Sequence, residues 1–283
     1  MRHAELMPRL QLVPTDRILF HEQPERRRTE RLMARIRKDR CLRNPPIVAD
    51  LSDGGYLLLD GANRVSSMRA LEYTHVPVQV VDYGDEAIQL KGWHHLLIQG
   101  RSLNLLETYR TLADVTVEPL PVEKIERLLE LRRVFAVFVD EAAEAWGIYP
   151  ATSGKLPDAF ERIRVLGRIV AAYEGRSDLE RIKLAEFSDL PTVIRSLEHQ
   201  LCLFPCLFKE ELMELAKAQV MLPTGISRHL IPGRALGLNL ELDFLTSLPT
   251  LDARQKHFEE YLNQLETEGR IRFYEESVFI MNE

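Results

Sequence analysis

Apolar residues recur along this chain in two periods, and the switches between them outline its elements. Leu10 to Val13 reads as a short strand, closed by the turn Pro14-Thr15-Asp16. From Glu25 to Asp39, Leu32, Met33 and Ile36 fall at helical spacing among charged neighbours of both signs, which predicts a surface helix with a narrow apolar stripe. Asn44-Pro45-Pro46 breaks the backbone. Ile47-Val48-Ala49, Asp53-Gly54-Gly55 and Tyr56 to Leu59 then follow as strand, glycine turn and strand, the pattern of a hairpin. A helix over 63–72 and the alternating, β-branched run His75 to Val81 extend the same sheet.

Beyond residue 100 the texture changes. Val122 to Leu131, Pro157 to Tyr173, Leu179 to Glu186 and Lys209 to Ala218 have helical patterns punctuated by proline or glycine. Val134 to Val139 reads as a strand, and Leu236 to Leu242 as a second strand pair. A helix over Leu251 to Glu268 and a last strand near Arg270 to Phe279 complete the pattern. At 283 residues the chain is long for a single core. The predicted class is α+β: residues 1–100 as a compact N-terminal domain, and 101–283 as a larger, mostly helical C-terminal lobe carrying a small sheet. No internal repeat or low-complexity linker separates them.

Composition narrows the class further. Apolar residues make up 45% of the chain and charged residues 28%, enough for an ample core and no reason to expect extensive disorder. Lys and Arg number 37 against 43 Asp and Glu, a net charge of -6, so the global basic field of a nucleic-acid-binding protein is missing. A local basic run exists in Arg26, Arg27, Arg28, Arg31, Arg35, Arg37 and Lys38, but Glu25 and Glu30 interrupt it and no aromatic residue interleaves with it. The three cysteines, Cys41, Cys202 and Cys206, form no metal-ligand pattern. Cys202-Leu203-Phe204-Pro205-Cys206 has the wrong spacing for a thioredoxin-type pair and reads as buried structural thiols. With neither a signal peptide nor a long apolar stretch, the expectation is a soluble cytoplasmic protein with no membrane partner.

The most informative stretch is residues 57–71. Leu57 to Leu59 end a buried strand, Asp60-Gly61 forms a tight turn, and Val65, Met68 and Leu71 lie on one face of the helix that follows. The amides of that helix's first turn, with Arg64 beside them, would face whatever sits above the strand end. A phosphate suits such a junction, and Asp60 in the same place suggests a magnesium ion or a proton acceptor. Asp-Gly is equally a plain turn signal, since both residues favour turns. Upstream, Glu22 stands close to Glu25 and Arg26 to Arg28, a setting in which a carboxylate is ordinarily solvated or ion-paired.

Leu57 to Arg64, preceded by Pro45-Pro46-Ile47-Val48 and followed by Ala70 to Tyr73 and Val76-Pro77-Val78, resembles the ParB/sulfiredoxin-like nucleotide-binding fold. Within it, Glu22, Trp93 and the late Ser227-Arg228-His229 look like the free L-serine kinases, which make O-phospho-L-serine from serine and a nucleotide. The match spans most of the chain. ParB partition proteins carry a GERR-like box, but here Gly61-Ala62-Asn63-Arg64 lacks its acidic second residue, and residues 100–150 show no clear helix-turn-helix. Sulfiredoxins need a reactive cysteine in the phosphate loop, and none lies near Gly61. Both departures favour the kinase branch over its rival, a ParB-like, nucleotide-dependent DNA-binding regulator.

The resemblance implies Glu22 as general base on the serine hydroxyl, and Asp60 as Mg²⁺ ligand or assistant to the base. Gly61, Ala62, Asn63 and Arg64 would hold the phosphates of ATP or ADP. Trp93, Ser227, Arg228 and His229 would bind serine, whose carboxylate and ammonium call for a guanidinium, a hydroxyl and an aromatic wall. The family pattern has threonine where Ser227 stands, so this chain keeps the hydroxyl but has no methyl group beside it. Without the resemblance, Trp93 reads as core or interface packing. His94 and His95, adjacent in a strand, point to opposite faces and suit one metal poorly; His95 is the one that could face the pocket.

Overall fold

A computed structural model describes residues 7–51, 53–98, 103–151, 157–183, 199–274 and 278–281, the last four as backbone. Contacts divide the chain into two units, Met1–Gln89 with His229–Glu283, and Leu90–Arg228. This division differs from the linear one at residue 100, because the C-terminal stretch returns to the first unit. The reason lies in its apolar residues: Ala235, Leu238, Leu240, Leu242, Leu245, Phe258 and Leu265 are buried in one cluster with Val13, Val48, Leu58, Val65 and Val78. Periodicity shows that such residues are buried but not which partner buries them.

The first unit is built on a five-stranded sheet in the order Arg9–Pro14, His75–Val81, Ile47–Asp50, Tyr56–Asp60, Ile18–Phe20. The predicted hairpin is present, with Ile47–Asp50 antiparallel to Tyr56–Asp60. The edge strand Ile18–Phe20 runs parallel to Tyr56–Asp60, with Ile18 opposite Tyr56 and Phe20 opposite Leu58. This parallel register matters for function. Both strands run toward the same end of the sheet, where Asp60 closes one and the chain leaves the other through His21 and Glu22.

Three helices cover this unit's predicted helical stretches. Arg26–Asp39 buries Ile36 and ends at Arg40 in the left-handed conformation (φ 49°). Ala62–Ala70 buries Val65 and Met68, the face read from the sequence. Near the C-terminus, Leu251–Thr267 is a helix whose Thr250 accepts from the Ala253 amide at 3.2 Å, a side-chain N-cap. The last predicted strand is instead an antiparallel pair, Ile271–Tyr274 with Val278–Met281. Of the predicted strand pair at 236–242, Arg234–Leu236 joins Val278–Met281 and Leu240–Glu241 pairs with Cys41–Leu42.

The second unit carries more strand than its sequence pattern suggests. Its six-stranded sheet runs Asp178–Ile182, His94–Ile98, Gln200–Leu203, Ala136–Val139, Ala145–Pro150, Val115–Pro119. Helices form at Leu105–Arg110, Ile125–Glu130, Ala159–Ala171 and Lys209–Lys217. The helix expected from Leu179 is an edge strand, in which pairing with His94–Ile98 overrides a weak helical spacing; residues 184–186 lie outside the described residues. Leu105–Arg110 and Ile125–Glu130 are separated by the strand Val115–Pro119, so residues 103–151 hold no helix-turn-helix. No helix among the described residues is long and apolar enough to cross a membrane.

The two buried histidines of this unit are held by hydrogen bonds. His95 is fully buried between the Tyr173 hydroxyl (2.7 Å) and the Gly225 carbonyl (2.8 Å), so its Nε2 donates and its Nδ1 accepts. His94 Nδ1 accepts from the Phe204 amide at 3.2 Å. Burial holds both imidazoles down at about 4. Burial likewise pushes the Cys202 thiol up to about 12, which makes it inert and fits a structural reading. Among the described residues no group of three or more His, Cys, Asp or Glu could hold a metal ion, and both ring nitrogens of His95 are already engaged. His95 is spent on Tyr173 and Gly225, contrary to the expectation that it could face a pocket.

The sign of the pH dependence follows from these depressed values. Below pH 6.5 the unfolded chain takes up protons that buried His94 and His95 refuse until about 4, so stability falls as the pH drops through that window. Urea unfolding followed by tryptophan fluorescence reports this unit alone, because Trp93 and Trp146 both belong to it. Between pH 6.5 and 5, stability should fall by about 1 kcal/mol per histidine per pH unit. A midpoint that does not change over this range would contradict the buried neutral state.

Candidate functional site

The predicted strand-to-helix junction is real, and glycine is required at its corner. Tyr56–Asp60 ends, Gly61 turns at φ +103°, and Ala62–Ala70 begins with no side chain capping its first turn. A Cβ at Gly61 would sit 2.9 Å from both Arg64 Nε and Pro46 Cβ, so backbone conformation and space both exclude a side chain. The uncapped amides at the start of this helix and the helix dipole favour an anion above the strand end.

Arg64 does not face this anion position freely. Its Nη1 donates to the carbonyls of Asn44 (3.2 Å) and Pro45 (2.9 Å), and its Nη2 donates to Asp60 Oδ2 at 2.9 Å. Arg64 therefore ties the helix to the loop that precedes the hairpin. Asn63 is also engaged: its Oδ1 accepts from the Glu25 amide (2.8 Å) and the Thr29 hydroxyl (3.0 Å), anchoring the start of the Arg26–Asp39 helix. At Gly61, Ala62 and Asn63, the backbone is the part suited to phosphate.

Asp60 carries the charge of the junction. Arg234 Nη2 also donates to Asp60 Oδ2, so two guanidiniums share one carboxylate oxygen. Partial burial works to raise the Asp60 pKa, but Arg64 and Arg234 outweigh it and hold the carboxyl below its usual range. An ionised carboxylate at this strand end has donor chemistry that suits a magnesium ion, since Mg²⁺ commonly takes one or two protein carboxylates beside phosphate and water.

Glu22 follows the edge strand, half-buried beside the fully enclosed His21. His21 Nδ1 donates to the Leu58 carbonyl at 2.5 Å, which stitches the Glu22 segment to the strand that ends in Asp60. Burial lowers the His21 pKa, while the charges of both Glu22 and Asp60 act on the ring to raise it. The two carboxylates thus lie within electrostatic reach of one imidazole. His229, buried, meets the His21 ring edge-on at 5.2 Å between centroids, and its Nε2 is 2.8 Å from the Tyr83 hydroxyl.

The remaining predicted residues belong to the second unit. Arg228 stacks its guanidinium over the Trp93 ring at 4.6 Å, and the Trp93 amide donates to the Ile226 carbonyl at 3.1 Å. Ser227 precedes Arg228 in the strand Ser227–Leu230, where alternation sends Ser227 and His229 to one face and Arg228 to the other. The boundary between the units falls inside the predicted triplet, after Arg228.

Sequence reasoning missed Arg234, Gln79, His21 and Tyr83. His21 could have been noticed as the neighbour of Glu22. Arg234 and Gln79 gave no signal, because Arg234 lies 174 residues from Asp60, and Gln79 lies 154 and 156 residues from its partners Gly233 and Ala235. Gln79 is buried in the strand His75–Val81 and brackets Arg234: its Nε2 donates to the Gly233 carbonyl (2.9 Å) and its Oε1 accepts from the Ala235 amide (2.8 Å).

The corner itself is testable. Gly61→Ala would combine a left-handed backbone with a clash against Arg64 and Pro46, and should cost about 1–3 kcal/mol in urea unfolding followed by far-UV circular dichroism. Wild-type stability in that variant would show that the turn is not constrained as described.

No family model matches the chain. The chain is 25% identical over 276 residues to the ATP-dependent L-serine kinase SbnI of Staphylococcus aureus, covering 97% of each protein. It is 26% identical over 241 residues to an ATP-dependent L-serine kinase of Staphylothermus marinus, covering 83% of this chain and 90% of that one. The solved structure of SbnI with a C-terminal truncation matches with a TM-score of 0.70 at 24% identity, over 93% of this chain and 99% of that one. A free serine kinase in complex with AMP matches with a TM-score of 0.68 at 20% identity, over 84% and 94%. The chain therefore has the α+β fold of these structures.

Proposed function

We propose that this protein is a kinase that transfers the terminal phosphoryl group of ATP to the hydroxyl of free L-serine, giving O-phospho-L-serine and ADP. The observation that supports the reading is that the parallel strands Ile18–Phe20 and Tyr56–Asp60 lead Glu22 and Asp60 to within electrostatic reach of one imidazole, His21, with an uncapped helix N-terminus following Asp60. Two sequence relatives, matching over 97% and 83% of this chain, bear the name ATP-dependent L-serine kinase, which supports ATP as donor. The first unit is read as a ParB/sulfiredoxin-like nucleotide-binding domain, and the cytoplasm, where ATP and free serine are available, as its place of action.

In this reading the backbone at Gly61 to Arg64 holds the donor's phosphates, and Glu22 accepts the proton of the serine hydroxyl. The hydroxyl oxygen bonds to the terminal phosphorus as the bond to the bridging oxygen breaks, and ADP leaves with that electron pair. Mg²⁺, held by Asp60 and the phosphates, would supply charge neutralisation on the donor. His21 keeps the Glu22 segment fixed against Leu58, so the base is held in place before substrate arrives. Serine is assigned to Trp93, Ser227, Arg228 and His229 by the resemblance: Arg228 suits its carboxylate and Trp93 its aliphatic face.

Purified protein given L-serine, Mg²⁺ and ATP labelled at the terminal phosphate should form labelled O-phosphoserine. Glu22→Gln should lower kcat by about 10²- to 10⁴-fold while ATP affinity stays within twofold. Absence of labelled phosphoserine from the wild-type protein, or undiminished turnover by Glu22→Gln, would sink the proposal.

A further inference from the structure

Both arginines at the junction reach the same oxygen of Asp60, yet their circumstances differ. Arg64 is held by three hydrogen bonds, two of them to the carbonyls of Asn44 and Pro45, and its guanidinium packs over the Gly61 backbone. Withdrawing it would strand those carbonyls and open the corner. Arg234 has Asp60 as its one side-chain hydrogen-bond partner among the described residues, and its Nε is buried with none. Its side chain is 34% exposed, against 19% for Arg64.

The backbone of Arg234, by contrast, is fixed. Gln79 uses both ends of its buried amide to hold Gly233 and Ala235, the residues on either side. Further along the same segment, the Gly237 amide donates to Asn44 Oδ1 at 2.8 Å and the Tyr261 hydroxyl donates to the Leu238 carbonyl at 2.6 Å. The result is an anchored base with a movable tip. A guanidinium has five N–H donors in a planar fork suited to phosphate oxygens, and most of those on Arg234 are unused.

We infer that Arg234, and not Arg64, is the cation that binds the donor's terminal phosphates. This rests on the kinase reading for the identity of the anion. With ATP present, the Arg234 tip turns from Asp60 Oδ2 onto the β- and γ-phosphate oxygens, which leaves Asp60 to the metal while Arg64 keeps the corner closed. Asp60 thus serves as the resting place of the phosphate-binding arginine. The sequence resemblance assigned the phosphate role to the arginine nearest the glycine turn. The hydrogen bonds assign it to one 170 residues further on.

Because AMP lacks the terminal phosphates, nucleotide length separates this role from a structural one. Calorimetric titration with Mg²⁺ and no serine should show ATP binding weakened at least tenfold by Arg234→Ala, with AMP binding within twofold of wild type. Arg234→Lys, which keeps the charge without the fork, should fall between and serves if the alanine variant does not fold. Equal weakening of ATP and AMP would mean that Arg234 merely organises Asp60, and would overturn the inference. So would unchanged binding of both, or wild-type protein that binds ATP no more tightly than AMP. Selective loss of ATP binding in a protein whose wild type makes no phosphoserine would uphold the phosphate site and refute the serine kinase reading alone.

Discussion

The carboxylate of Asp60 is the charge on which the first unit's strand end depends. It neutralises two guanidiniums brought from near and far along the chain, Arg64 from the helix it precedes and Arg234 from a strand of the C-terminal stretch. Exposed ion pairs contribute little to stability, and this cluster is partly exposed. Its importance is geometric. Without the carboxylate, two like charges would face each other over a glycine corner that has no room for rearrangement.

Two further constraints meet at the same point. Parallel pairing of Ile18–Phe20 with Tyr56–Asp60 sends both strands toward the same end of the sheet, and the His21 to Leu58 hydrogen bond fixes the chain that continues into Glu22. Asn63 then pins the next helix through the Glu25 amide. Glu22, the Asp60 carboxylate and the uncapped helix start are thereby held by contacts within one unit. Rigid support of this kind is what in-line phosphoryl transfer requires, since alignment and charge placement dominate its catalysis.

Local elements were legible in the sequence wherever apolar period and turn chemistry agreed. The hairpin at 47–60, the helix that buries Val65 and Met68, and the Asp60-Gly61 corner are all present. Partners distant in sequence were not legible. Nothing in the pattern of 234–265 says that its apolar residues complete the first unit's core, and nothing marks Arg234 as a neighbour of Asp60. Residues 178–182 show the same limit in secondary structure, because edge pairing with His94–Ile98 outweighed a helical spacing too short to be decisive. At Arg64, resemblance identified a residue that matters to the junction, whereas its hydrogen bonds to Asn44 and Pro45 give it a structural task there.

The central claim is that one strand end aligns donor and base. A crystal structure with Mg²⁺, a non-hydrolysable ATP analogue and L-serine tests it most directly. The account predicts the terminal phosphate over the Gly61 corner, with the serine hydroxyl within hydrogen-bond reach of the Glu22 carboxylate and in line with the bridging oxygen of the donor. Phosphates bound away from Gly61 to Arg64, or a Glu22 carboxylate remote from the serine hydroxyl, would contradict it.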